Sequence, residues 1–106
     1  MLVTGRRGSL GRFEDIVSSN QVVLFLKGRA SFPLCGLSGD ACSMLKKKWI
    51  KFKEVDLLED PELYLFMKEE YASTTAPYLF VNGKFVGGYE EIKQLFETGK
   101  LVNVVR

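Results

Sequence analysis

Two cysteines, Cys35 and Cys42, are the side chains best able to do covalent chemistry, and they lie seven positions apart in RASFPLCGLSGDAC. A cysteine can attack a disulfide as its thiolate, ligate a metal or cluster, form half of a disulfide, or do none of these. Cys35 follows an apolar run and a loop containing Pro33, and precedes a segment with helical spacing. At a helix start, unpaired N–H groups and the positive end of the dipole favour thiolate over thiol. Lys27 and Arg29 can add positive charge, and Gly36 leaves room for another molecule to approach the sulfur. Cys42 falls in line with Ala41 and Leu45 on the same helix. Seven helical residues span ~10 Å, beyond the ~7 Å Cα limit for a disulfide. Cys42 therefore reads as a small buried hydrophobe. A dithiol pair would place its second cysteine three residues after the first, where this chain has Ser38. Any redox cycle must then borrow a thiol. The Ser38 hydroxyl can instead serve the helix start.

No histidine occurs anywhere in the 106 residues. That removes Cys–His and Ser–His–Asp hydrolysis, ordinary zinc sites and imidazole acid–base catalysis. The length suits one domain with its own core. No apolar run approaches the ~18–20 residues of a membrane span. A net charge of +2 is too small to imply a nucleic-acid or acidic partner. The lysine-rich stretch 46–53 reads as a solvated face that complements a helix C-terminus. Two cysteines do not make a disulfide framework, which favours a reducing intracellular compartment, cytoplasm or mitochondrion-like organelle. The opening MLVTGRRGSLGR is rich in arginine and glycine. It reads as a flexible basic tail over residues 1–11, with a short targeting segment as the other reading. The domain proper is expected over residues 12–106.

The elements that must position Cys35 follow from periodicity. Residues 13–19 carry apolar positions Phe13, Ile16 and Val17, a short amphipathic helix. QVVLFLKG is a strand buried on both faces. Residues 36–48 read as a helix, and WIKFKEVDL as a second strand through Ile50, Phe52 and Val55. Asp60–Pro61 opens a helix to about residue 71. APYLFVNGKFVGG is a hairpin turning at Asn82–Gly83. YEEIKQLFETG is a last amphipathic helix stopped by Gly99, and KLVNVVR a tail. Strand–helix–strand implies a parallel pair, and the hairpin adds antiparallel strands. The fold class is α/β: a four-stranded mixed sheet with helices on both faces.

Four motifs in order resemble one family. Cys35-Gly36-Leu37-Ser38 resembles the Cys-Gly-Phe-Ser motif of monothiol glutaredoxins, with Leu37 for Phe. Lys27-Gly28 leads to Pro33-Leu34-Cys35 with that family's long loop. Thr75-Ala76-Pro77 is similar to its Thr-x-Pro, whose proline is cis. VNGKFVGGYEE is similar to its Asn-Gly-x-x-Val-Gly-Gly-x-Asp segment. The chain departs from the pattern at Ser73-Thr74, at Tyr64 and Leu65 with Lys68 the nearest cation, at Tyr89, and at Glu90 for Asp.

The resemblance implies a thioredoxin-like fold and a glutathione site. Lys27 would bind the glycine carboxylate, and Thr75, Ala76 and Pro77 would pair with the peptide backbone. Gly88, Tyr89 and Glu90 would hold the γ-glutamyl end, with Leu37 beside the thiol. It also implies a 2Fe–2S cluster ligated by Cys35. A cluster takes four thiolates, so two chains and two glutathiones would share one. The partners implied are glutathione, iron–sulfur apoproteins and a cluster-bridged homodimer that is monomeric without cluster, with no nucleic acid and no membrane. The alternative is a weak glutathione-dependent oxidoreductase that resolves protein–glutathione mixed disulfides.

Overall fold

β1 (Val22–Leu26) is the centre of the molecule, and all five of its residues are buried. A computed structural model describes the backbone of residues 4–29, 32–33 and 36–105, and the side chains of 8–29 and 36–105. Successive β1 side chains point to opposite faces, so one strand feeds two cores. Val22, Leu24 and Leu26 join Ala41, Cys42 and Leu45 of α2 (Gly36–Lys47), Ile92 of α4 (Tyr89–Glu97) and Leu101. Val23 and Phe25 join Phe13 and Val17 of α1 (Thr4–Ser19) and Leu63, Phe66 and Met67 of α3 (Pro61–Glu70). This double burial explains the unbroken apolar run.

β4 (Lys53–Asp56), β5 (Tyr78–Val81) and β6 (Lys84–Gly87) complete a sheet in the order β4-β1-β5-β6. β4 runs parallel to β1 through the α2 crossover, whereas β5 pairs antiparallel with β1 and β6 with β5. The expected four-stranded mixed sheet with helices on both faces is therefore present. Asn82 and Gly83 have φ of 52° and 79°, the left-handed pair that a two-residue hairpin turn demands. α3 starts as expected: Asp60 caps it through Leu63 N–H (3.1 Å), and Pro61 is its first residue.

Three expectations are corrected. The helix expected from Phe13 begins at Thr4, so residues 4–11, expected within a flexible basic tail, belong to α1. Ser9 is buried, and the Arg12 guanidinium makes two bonds to the Asp60 carboxylate, at 3.0 and 3.1 Å, tying α1 to the cap of α3. Gly5, Gly8 and Gly11 are poor helix formers, which hid the first part of this helix in the sequence pattern. The second correction is the C-terminal tail, which holds a short helix, α5 (Leu101–Val104), with Leu101 fully buried. The third is the loop after β1, which contains a two-stranded pairing of β2 (Gly28–Arg29) with β3 (Phe32–Pro33).

The strand expected from WIKFKEVDL begins only at Lys53, because α2 ends in a left-handed turn at Trp49 (φ 59°). Trp49 N–H donates to Lys46 O and Ile50 N–H to Leu45 O. That closure normally carries glycine, since a side chain there costs about 1–2 kcal/mol. Trp49 recovers none of it by packing, being 93% exposed. Trp49→Gly should therefore stabilise the fold by about 1 kcal/mol, raising the melting temperature by about 4–8 °C. A lower melting temperature would show that the indole makes a contact worth more than the strain.

Candidate functional site

The end of β1 and the start of α2 are joined by one bond. Lys27 N–H donates to the Ser38 hydroxyl at 3.1 Å, and Ser38 is wholly buried. Ser38 thereby sets the helix start against the strand end, its hydroxyl oxygen accepting from the backbone. Gly28 N–H donates to Asp56 Oδ1 (2.9 Å), which fixes the next residue to the end of β4. Cys35, the expected thiol, lies outside the described residues; in the chain it directly precedes Gly36, the first residue of α2.

The cations expected near Cys35 each have a described partner. Lys27 Nζ lies 5.9 Å from the centre of the Tyr64 ring, and Lys68 Nζ 4.5 Å from the same ring. Two ammonium groups, one from the end of β1 and one from α3, thus approach one aromatic ring. The Arg29 guanidinium is paired with Glu59 at 2.9 Å. Both partners are largely exposed, so the pair adds little stability. Hydrogen bonding to Glu59 raises the Arg29 pKa further, so the charge is held there.

A cleft of about 250 Å³ opens between α2 and α4, lined by Leu37, Ser73, Thr74, Thr75, Gly88, Tyr89, Glu90 and Glu91. Thr75 is exposed, whereas Ala76 and Pro77 behind it are buried, and the peptide between them is cis, as the motif implied. Gly88 is packed so closely that a Cβ would lie 2.5 Å from Thr74 Cγ2 and 3.4 Å from Pro77 O. Gly88 is also the N-cap of α4. Glycine has no side-chain oxygen to consume the first-turn N–H groups, and Glu90 and Glu91 place negative charge in that turn. Glu91 reaches back to the Gly88 N–H at 2.7 Å. A bulge in the β5–β6 pairing, where Phe80 faces Phe85 but Leu79 faces Gly87, turns β6 toward this cap.

Of the expected residues, Leu37, Thr75, Gly88, Tyr89 and Glu90 meet at one cleft, with Ala76 and Pro77 beside Thr75. Lys27 lies at Tyr64, with its backbone on Ser38 of α2. Sequence reasoning missed Glu91 and Asp40. The acid three residues after an N-cap is a capping signature that could have found Glu91. Asp40, which accepts from the Tyr89 hydroxyl at 3.3 Å, had no signal, because only the packing of α2 beside α4 brings it there. Among the described residues no group of three or more His, Cys, Asp or Glu could hold a metal ion, and no helix is long and apolar enough to cross a membrane.

Cys42 is buried in the α2 core, as expected. Burial pushes its thiol pKa up, with Lys46 opposing weakly. Cys42 should accordingly resist iodoacetamide in the native protein at neutral pH and react fully once unfolded, as read by peptide mass spectrometry. Labelling of native Cys42 within minutes would contradict this burial.

The glutaredoxin family model matches residues 22–86, from the first residue of β1 into β6. The chain belongs to the glutaredoxin family. Relatives narrow it to the monothiol branch of this thioredoxin-like superfamily. This glutaredoxin is 33% identical to a probable monothiol glutaredoxin of Rickettsia typhi, over 88% of the chain and 84% of that protein. It is 38% identical to mitochondrial monothiol glutaredoxin-5 of Saccharomyces cerevisiae, over 87% of the chain and 63% of that protein. In fold it matches a monomeric truncated mutant of Trypanosoma brucei 1-C-Grx1 with a TM-score of 0.81 and 29% identity, covering 91% and 87% of the two chains. It also matches buckwheat glutaredoxin in complex with glutathione, with a TM-score of 0.85 and 19% identity, covering 99% and 94%.

Proposed function

We propose that this glutaredoxin binds glutathione in the cleft between α2 and α4 and carries a 2Fe–2S cluster between two copies, for delivery to iron–sulfur apoproteins in a reducing intracellular compartment. The observation that carries this reading is the cleft that gathers Leu37, Thr75, Gly88, Tyr89 and Glu90 beside the start of the Cys35 helix. The residues suit glutathione. A tripeptide needs a backbone partner, and exposed Thr75 offers its main chain as an added strand would. The γ-glutamyl α-carboxylate needs donors, and the glycine-capped start of α4 at Gly88–Tyr89 supplies them. Glu90 can accept from the α-amino group. The glycine carboxylate needs a cation, and Lys27 and Lys68 converge on Tyr64.

Bound glutathione supplies the second thiol that the chain lacks at Ser38. Each copy then offers two thiolates, Cys35 and the glutathione sulfur, and two copies complete the four that a 2Fe–2S cargo takes. Half of the ligands are exchangeable, which suits a carrier that must release its cargo. Anaerobic incubation with iron, sulfide and glutathione should give a coloured dimer, and the same mixture without glutathione a colourless monomer. Colour and dimer formation independent of glutathione would overturn the ligand arithmetic.

Serine at position 38, where a dithiol pair has its second cysteine, favours a second reading that needs one thiol only. One thiol suffices for glutathione exchange: Cys35 thiolate attacks the glutathione sulfur of a mixed disulfide and releases the protein thiolate. A second glutathione thiolate then attacks the Cys35–glutathione disulfide, giving glutathione disulfide and free Cys35. Turnover of a glutathionylated peptide measures this activity, and slow turnover beside ready cluster assembly favours the first reading.

A further inference from the structure

The small net charge hides a cluster. Five of the fifteen cations, Lys46, Lys47, Lys48, Lys51 and Lys53, fall within eight residues, and no acid lies between Asp40 and Glu54. At their centre stands Trp49, the one tryptophan of the chain. It is 93% exposed, while no other exposed large apolar side chain described exceeds 55%. Its backbone is left-handed, at the position that favours glycine. Folding therefore explains neither the residue type nor its exposure. A bulky residue kept in a strained conformation without packing points to a contact outside the chain. Lys46, Lys47, Lys51 and Lys53 are exposed, and the Lys48 ammonium lies over the Phe96 ring at 5.2 Å.

An acidic protein surface would need a pocket shaped for a protruding indole. A single-stranded nucleic acid is held by successive aromatic platforms along a groove, whereas here Phe52 is half-buried and Phe96 lies under Lys48. A lipid surface needs no matching shape. Its headgroup layer accepts an indole, and anionic headgroups attract lysines whose stems lie along apolar surface. We propose that the 46–53 turn is a peripheral docking surface for anionic lipid headgroups, with Trp49 entering the interface. α2 has twelve residues and so separates this turn from the Cys35 end by ~18 Å. A docked molecule keeps its cleft open to water.

The test uses the full chain and vesicles of phosphatidylglycerol and phosphatidylcholine in equal parts, at low salt. The protein should sediment with them, with Trp49 emission shifting to the blue. It should not bind pure phosphatidylcholine, and raising salt to about 0.5 M should release it. Trp49→Gly should lower the partition coefficient about 10-fold. That variant suits the backbone, so the loss is not one of folding, and its melting curve verifies this. Lys47→Glu with Lys51→Glu should lower it by at least about 25-fold. No sedimentation with the anionic vesicles overturns the proposal. So does binding that both variants leave unchanged. A blue shift with oligothymidylate or polyglutamate but not with vesicles would assign the turn to a nucleic acid or an acidic protein instead.

Discussion

Cys35→Ser is expected to abolish cluster assembly completely: after anaerobic reconstitution with glutathione the variant stays colourless, iron-free and monomeric. The size of the effect follows from ligand arithmetic. In the proposed cluster-bridged dimer two of four thiolates disappear at once, and glutathione alone does not hold the two copies together. Cys42 cannot take over, because it is buried 2% exposed in the α2 core with its thiol pKa raised by burial. Reaching it would require unpacking Ala41, Leu45 and Leu24. Iron content, visible absorption and gel filtration read the outcome, and an unchanged circular dichroism spectrum shows that the fold is intact. A coloured Cys35→Ser dimer would sink both the ligand assignment and the proposed function.

Phe80→Ala should be the most destabilising single truncation in the α1–α3 layer, at about 3–5 kcal/mol. Phe80 is 1% exposed, and its ring lies 5.1 Å from Phe13, 5.5 Å from Phe25, 5.4 Å from Tyr71 and 5.2 Å from Phe85. Removing it leaves a cavity that four rings, from α1, β1, β6 and the C-cap of α3, cannot close together. Small domains are stable by only ~5–15 kcal/mol, so the melting temperature should fall by at least about 12 °C. Phe85→Ala is the control. Phe85 is 37% exposed on the edge strand β6, and its loss should cost about 1 kcal/mol by ring contacts alone. Equal effects of the two substitutions would mean that the cluster is held by its rim, not by Phe80. Urea denaturation of both variants decides.

Local signals made much of this protein legible. The β1 run, the Asp60–Pro61 helix start, the Asn82–Gly83 turn and the Gly99 stop each rest on neighbouring residues, and each holds. The first part of α1, before Phe13, did not read, because Gly5, Gly8 and Gly11 depress local propensity while that part is secured by Arg12 on Asp60, 48 positions away. α5 did not read because four residues carry no period, and its anchor is the burial of Leu101 against the far core.

The candidate site divides in the same way. The sequence by itself determined that one cysteine directly precedes the α2 segment with serine, not a second cysteine, at position 38, that histidine chemistry is excluded, and that Thr75–Pro77 and Gly87–Gly88 are special backbone positions. Those are statements about residue type and short spacing. Only the tertiary structure decided that Arg29 is taken up by Glu59, that Lys68 shares Tyr64 with Lys27, and that the Ser38 hydroxyl ties α2 to β1. It also decided that Leu37, Thr75 and the glycine-capped start of α4 meet at one cleft. The physical reason is that a cleft forms where separate elements pack across β1. Side-chain charges take the partner that packing brings within reach, whatever their distance along the chain.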